Sequence, residues 1–256
     1  MRVRDKSKGR TRDRTRHRIR VRDRSQSRTS SETGLRTGAV RWRPNPALRT
    51  RTGQLNTGDR RNRQKHLSNN PLQRALVRRF HQRVTELVQF ALSSGHAVLE
   101  VGCGEGFVLS YLRRQLPALH CHGVDFNAAA LTEAAQRNPG VPMTLADVTA
   151  LPFADRSFPM VLCLEVLEHL RDPRAGLAEL ERVSDGYLVL SVPNQPFFAL
   201  ANFVRGKNWR TLGDDPEHVQ RWTGPGFVAL VRSRLDVIRV VHSFPWVIVL
   251  GRRVSP

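Results

Sequence analysis

From residue 70 onward, apolar runs of strand length alternate with amphipathic stretches at helical spacing. The first amphipathic stretch opens with Asn70 as N-cap and Pro71 at the first helical position. Leu72, Leu76, Phe80, Val84, Leu87, Val88 and Ala91 then recur at helical intervals to about Leu92, and Gly95 ends the helix. Its arginines, Arg74, Arg78, Arg79 and Arg83, read as a solvated face. Beyond it, VLEV, LHCHGVD, VPMTLAD, PMVLCL and YLVLSV read as strands. The helical stretches FVLSYLRRQL, AAALTEAAQRN and DPRAGLAELERV lie between them, the last with Asp172 as N-cap and Pro173 behind it. A further helix, FVALVRSRL, precedes a closing pair of strands, DVIRVVH and PWVIVLGRR. The predicted order is α-β-α-β-α-β-(α)-β-α-β-α-β-β, with an optional helix before the fourth strand. Such alternation requires an α/β fold, a doubly wound and mostly parallel sheet with helices on both faces.

The pattern fails over residues 1–65, where Arg-x-Arg repeats are interspersed with Asp, Ser, Thr and Gly. This segment holds 19 Arg and 3 Lys against 5 acids, a net of +17, and leaves the rest of the chain 20 basic and 17 acidic residues. The basic character of the protein therefore belongs to the tail. A segment this poor in core-forming residues cannot offset its ordering entropy and is expected to be disordered, which puts the folded domain at 66–256. Its charge would suit weak contact with nucleic acid or another polyanion, although Trp42 is its one aromatic residue and base stacking is barely supported. A passive extension, or translated sequence upstream of the true start, is the plainer reading.

No run of about 18 apolar residues is present, so no transmembrane helix is expected. The N-terminus lacks the apolar stretch of a secretory signal, and Asp5, Asp13, Asp23, Glu32 and Asp59 speak against a transit peptide. Cys103, Cys121 and Cys163 are odd in number and lack metal-ligand spacing. Reduced thiols and a cytoplasmic location are the expectation, with no metal site.

The densest chemistry lies in AVLEVGCGEGF, residues 97–107. A buried strand delivers three glycines at alternate positions, Gly102, Gly104 and Gly106, and a helix follows. Glycines let the backbone approach a ligand where a Cβ would clash, and the free N–H groups of the helix face the same point. A dinucleotide fingerprint needs its third glycine at position 107, which is Phe107. Glu100 and Glu105 flank the turn and suit a ligand bearing an ammonium and a sulfonium better than one bearing a pyrophosphate. Asp125 ends the second strand 19 residues beyond Gly106, where a carboxylate can accept hydrogen bonds from two vicinal ribose hydroxyls.

VLEVGCGEG resembles the first motif of the class I S-adenosylmethionine-dependent methyltransferases, type 11 group, and LPFADRSFPMVLCLEVLEHL resembles their loop, fourth strand and post-strand segment. The resemblance covers roughly residues 71–192. It implies a seven-stranded sheet with the last strand antiparallel, S-adenosyl-L-methionine as cofactor, and cofactor contacts from Glu100, Gly102, Cys103, Gly104, Gly106, Asp125, Phe126, Asp147, Val148 and Glu165. Asp147 would meet the adenine amino group, with Val148 supplying a backbone N–H. Cys103 reads as a small residue that fits the turn, not as a nucleophile. Pro159 stands where the family usually has Asp, which predicts a shifted strand start.

Methyl transfer needs acceptor and methyl held in near-attack geometry with water excluded, and a base only for a poorly acidic acceptor. His169 and His218 are the candidates for that catalytic role. The stretch from about 195 to 226, rich in Phe and Trp, reads as a lid over a small or amphipathic acceptor. Two other readings remain open: an RNA methyltransferase or nucleic-acid binder using the tail, and an NAD-dependent oxidoreductase on the same fold.

Overall fold

The computed structural model describes residues 66–92, 97–195, 197 and 219–254. The basic tail, Gly95, His218 and most of the expected lid lie outside the described residues.

Helix α1 (Pro71–Ala91) begins as the sequence dictates: the Asn70 side chain accepts from the Leu72 and Gln73 amides at 2.9 and 3.3 Å, and Pro71 occupies the first turn. Strand β1 (Ala97–Val101) leads through the glycine turn into α2 (Phe107–Gln115). Next come β2 (His120–Asp125), α3 (Ala128–Arg137), β3 (Met143–Leu145) and β4 (Phe158–Leu164). A short 3-10 helix (Leu167–His169) precedes α4 (Pro173–Val183) and β5 (Ser184–Pro193). Helix α5 (Gly224–Arg232) and the hairpin β6 (Leu235–Ser243) and β7 (Trp246–Arg253) complete the domain.

The seven strands stand in the order β3-β2-β1-β4-β5-β7-β6. The first five are parallel, and β7 runs antiparallel to both β5 and β6. Their alternating side chains divide the core in two. Leu99, Val101, Val161, Cys163, Leu188, Leu190, Val247 and Val249 pack with α4 and α5, whereas Val98, Met160, Leu162, Val189, Ile248 and Leu250 pack with α1 and α2. Period-two alternation with apolar residues on both faces is what a sheet covered by two helical layers demands.

Three expectations need correction. The buried face of α1 is wider than the apolar count: Phe80, Val84, Leu87 and Val88 are buried as expected, but Leu72 is 61% exposed, and Gln73, Val77, His81 and Thr85 are buried as well. Thr85 can be buried there because its hydroxyl donates to the His81 carbonyl at 2.9 Å. The third strand is shorter than VPMTLAD, ending at Leu145, so Asp147 lies beyond its end. The segment from 146 to 157 contains no helix. Pro159 is the second residue of β4 and lies before its pairing with β1, which starts at Met160. The β4–β5 register shifts between Phe158 and Met160, which accommodates the missing donor.

Candidate active site

The parallel order β3-β2-β1-β4 brings the carboxyl ends of these strands side by side on one edge of the sheet. That edge carries the glycine turn after β1, Asp125 and Phe126 at the end of β2, Asp147 and Val148 after β3, and Glu165 after β4. The strand connections therefore place all ten expected cofactor residues along one edge.

Hydrogen bonds to β2 fix the glycine turn. Gly102 and Cys103 both donate to the Val124 carbonyl, at 2.8 and 2.9 Å, and Gly104 donates to Asp125 Oδ2 at 2.8 Å. Asp125 Oδ1 accepts from the Asn127 amide at 2.9 Å. Asn127, not Asp125, is the N-cap of α3. Gly102, Gly104 and Gly106 all have positive φ. At Gly102 a Cβ would overlap Val166 Cγ2, and at Gly106 it would lie 2.5 Å from Asn138 Nδ2. Asn138 itself donates to the Gly106 carbonyl at 2.9 Å, so the turn is gripped from α3 as well.

Glu100 lies beneath this turn, only 2% exposed. Its Oε2 is buried without a protein partner. Burial, and then the neighbouring Asp125 carboxylate, push its acidity up to about 8, while the Leu109 amide at the start of α2 opposes the shift. Glu100 and Gly102 line a cleft together with His66, Phe80, Phe107 and Glu165. Phe107, the residue that displaces a dinucleotide-type glycine, stacks on His66 at 4.4 Å between ring centroids. The Arg137 guanidinium lies 3.9 Å from the same ring.

The two halves of this edge differ. Phe126, 67% exposed, stands beside Asp125. Asp147 is exposed and accepts from the Thr149 amide and hydroxyl at 2.8 and 2.7 Å, whereas Val148 is buried. On the far side of β1, Glu165 sits at φ 60°, a left-handed conformation rare for a side-chain-bearing residue. Its amide donates to the Ser191 carbonyl at 3.1 Å, and its carboxylate accepts from Ser191 Oγ at 3.2 Å and Trp246 Nε1 at 2.5 Å. Trp246 carries no motif signal; in the sequence it reads as a core residue of the last strand. It reaches the site because β7 inserts beside β5, pairing Trp246 with Pro193.

His169 is exposed at the end of the 3-10 helix, and it does not line the cleft. His218 lies outside the described residues; its neighbour Val219 donates its amide to the Glu168 carbonyl at 2.9 Å. The cysteines are free, and burial raises the Cys103 and Cys163 thiols far above their usual range. These two thiols are therefore poor nucleophiles. Among the described residues no cluster of His, Cys, Asp and Glu could hold a metal ion, and no helix is long and apolar enough to cross a membrane.

A glycine-rich turn at the carboxyl edge of a doubly wound sheet with a reversed β7 defines a methyltransferase-type fold, and solved structures share it. The magnesium protoporphyrin IX methyltransferase of Synechocystis, solved with bound SAH, superposes with a TM-score of 0.58 at 19% identity over 78% of this chain and 95% of that one. A putative methyltransferase from Haloferax volcanii, solved in complex with its Trm112 activator, gives 0.57 at 17% identity over 70% and 91%. Residues 99–190 match the family model described as a methyltransferase domain. A probable S-adenosylmethionine-dependent methyltransferase of Mycobacterium tuberculosis is 35% identical over 107 residues, 40% of this chain and 37% of that protein. The phthiotriol/phenolphthiotriol dimycocerosates methyltransferase of the same organism is 36% identical over 112 residues, 43% and 40% respectively. Over residues 99–190 the chain is thus similar to S-adenosylmethionine-dependent methyltransferases. It spans about two fifths of the length of these curated relatives.

Proposed function

We propose that the protein transfers a methyl group from S-adenosyl-L-methionine to a small or amphipathic acceptor. The observation that carries this reading is Glu100: a buried carboxyl group with one unpartnered oxygen, lining the cleft under a turn that has no room for a Cβ. A pyrophosphate would bring negative charge to that oxygen, whereas a cationic ligand would satisfy it. When bound, the cofactor supplies a methyl carbon made electrophilic by its sulfonium.

The chain's own residues bind and orient. Asp125 accepts from the Gly104 amide at one oxygen and from the Asn127 amide at the other, and a carboxylate oxygen can accept more than one hydrogen bond, as binding a ribose hydroxyl requires. The exposed Phe126 ring offers an apolar face for the base, and the turn at Asp147–Val148 flanks it. Glu165, held by Ser191 and Trp246, lines the same cleft as Glu100 and Gly102 and is the cofactor contact contributed by β4. His169 and His218 remain the proposed bases where the acceptor needs one. An amphipathic acceptor agrees with the phthiotriol and phenolphthiotriol dimycocerosates for which one relative is named and with the half-exposed Phe197 and Phe244, whose rings lie 6.4 Å apart.

Calorimetric titration of the full chain with S-adenosylmethionine and, separately, NAD tests the reading. Micromolar binding of the former, lost in Asp125→Ala, is expected. Binding of NAD alone by the folded protein would replace the methyltransferase reading with an oxidoreductase.

A further inference from the structure

The loop between β3 and β4 contains Asp147 and Val148, and its descending limb is fastened to a single side chain that no binding motif includes. Arg182, in the last turn of α4, uses all of its guanidinium nitrogens. Nε donates to Glu179 Oε2 at 2.8 Å, Nη1 to the Phe153 carbonyl at 2.8 Å and to Asp155 Oδ1 at 2.7 Å, and Nη2 to the Leu151 carbonyl at 3.0 Å and to Glu179 Oε1 at 2.7 Å. Glu179 completes the clip by accepting the Leu151 amide at 2.8 Å, so both backbone polar groups of Leu151 end on this one ion pair. The Arg182 carbonyl takes the Arg156 amide at 2.8 Å. At its other end the loop is held to β2, where Ala146 donates to the Asp125 carbonyl at 3.0 Å. Asp147 to Ala150 thus form a short bridge between two fixed points, closed by the Ala150 amide on the Asp147 carbonyl at 3.0 Å.

We propose that Arg182 is a positioning residue for the base-binding end of the cofactor site: through Leu151 it sets where Asp147 and Val148 stand. The inference rests on the methyltransferase reading, which gives that turn the adenine to recognise. The geometry explains why an arginine is used. Its planar fork serves two carbonyls and two carboxylates at once, whereas the point charge of a lysine could satisfy only part of the set. Asp155 is 74% exposed and contributes least, because water can replace it. Glu179 and Leu151 are the partners that transmit position, since both are largely shielded and Leu151 is packed in the core. The β4 side of the site is braced by other side chains, Ser191 and Trp246 on Glu165.

The test compares S-adenosylhomocysteine with S-inosylhomocysteine, two ligands that differ only at the base, by calorimetry on full-length wild type, Arg182→Met and Arg182→Lys. The wild type should prefer the adenine ligand. Arg182→Met should bind it roughly tenfold or more weakly, the loss expected for one charge-assisted hydrogen bond's worth of positioning, and the preference over the inosine ligand should collapse. Arg182→Lys should fall between, and it serves as the variant of record if Arg182→Met does not fold. A general loss of stability lowers the folded fraction for both ligands alike and leaves their ratio unchanged. An unchanged ratio and affinity in either folded variant would overturn the role of Arg182 while leaving the methyltransferase reading intact. A wild type that binds neither ligand would instead overturn that reading, and the assignment of the turn with it.

Discussion

The two halves of the candidate site are built on different principles. The half on β1, β2 and β3 is backbone chemistry: a glycine turn pinned to the Val124 carbonyl, a carboxylate that accepts from two amides, and a buried carboxyl group with one oxygen unpartnered among the described residues. The half on β4, β5 and β7 is side-chain chemistry, in which Ser191 and Trp246 both hold Glu165. A half built from backbone can be written into short contiguous stretches. A half built from side chains is assembled from residues whose identities can change one at a time without unmaking the sheet.

The sharpest way to break the first half is Gly102→Ala. The left-handed backbone alone costs about 1–3 kcal/mol for a residue with a Cβ, and overlap with Val166 adds to it. Thermal unfolding should show a clear loss of stability, and calorimetry should show no remaining cofactor binding. Retention of both would mean the turn is not the close-approach point.

Next in size is the pH response set by Glu100. In the unfolded chain this group ionises near 4.5, and in the folded protein burial and Asp125 move it to about 8. Between those values the folded state holds a proton that the unfolded state has released. Stability is therefore greatest at the acid end of the window and falls as pH rises through it, by up to about 1.4 kcal/mol per pH unit, with no further change above the upper value. Melting curves between about pH 5 and 8 should show this slope, and Glu100→Gln should flatten it. A cationic ligand should draw the proton off, so binding near neutrality should release protons to the buffer.

The smallest effect on cofactor binding should come from Trp246→Phe, which keeps the packing against Phe80 but removes the Nε1 donor to Glu165. A loss of roughly 1.5–3 kcal/mol is expected from unfolding measurements, the range for a hydrogen bond to a charged group. S-adenosylhomocysteine affinity should stay within about twofold of wild type, since 1.4 kcal/mol would be tenfold. A large fall in that affinity would erase the distinction between the halves.

The same contrast governs what was legible in the sequence. Glu100 to Gly106 form one contiguous motif, and Asp125 and Asp147 follow at strand ends whose positions the alternation of elements predicts. The parallel topology then brings them together without further information. Trp246 and Ser191 were unreadable because their meeting with Glu165 depends on β7 entering between β5 and β6, a choice made by the whole sheet. Arg182 looked like one more polar residue on an amphipathic helix, since its partners at Leu151 and Phe153 are main-chain carbonyls that no residue type announces. The extra width of the α1 face has a related cause. Counting apolar residues gives no weight to Gln73, His81 and Thr85, which are all buried, Thr85 with its hydroxyl on the His81 carbonyl.

The insertion of β7 between β5 and β6 also sets an order of assembly. During synthesis β7 leaves the ribosome after the other six described strands, yet among the described residues it is the one strand bonded to β6 and supplies the antiparallel neighbour of β5. The nascent chain can pair β1 to β5 among themselves as they emerge, whereas the indole that steadies Glu165 arrives last and over a long chain separation. A growing polypeptide would therefore possess its glycine turn well before the Trp246 support of Glu165 is in place.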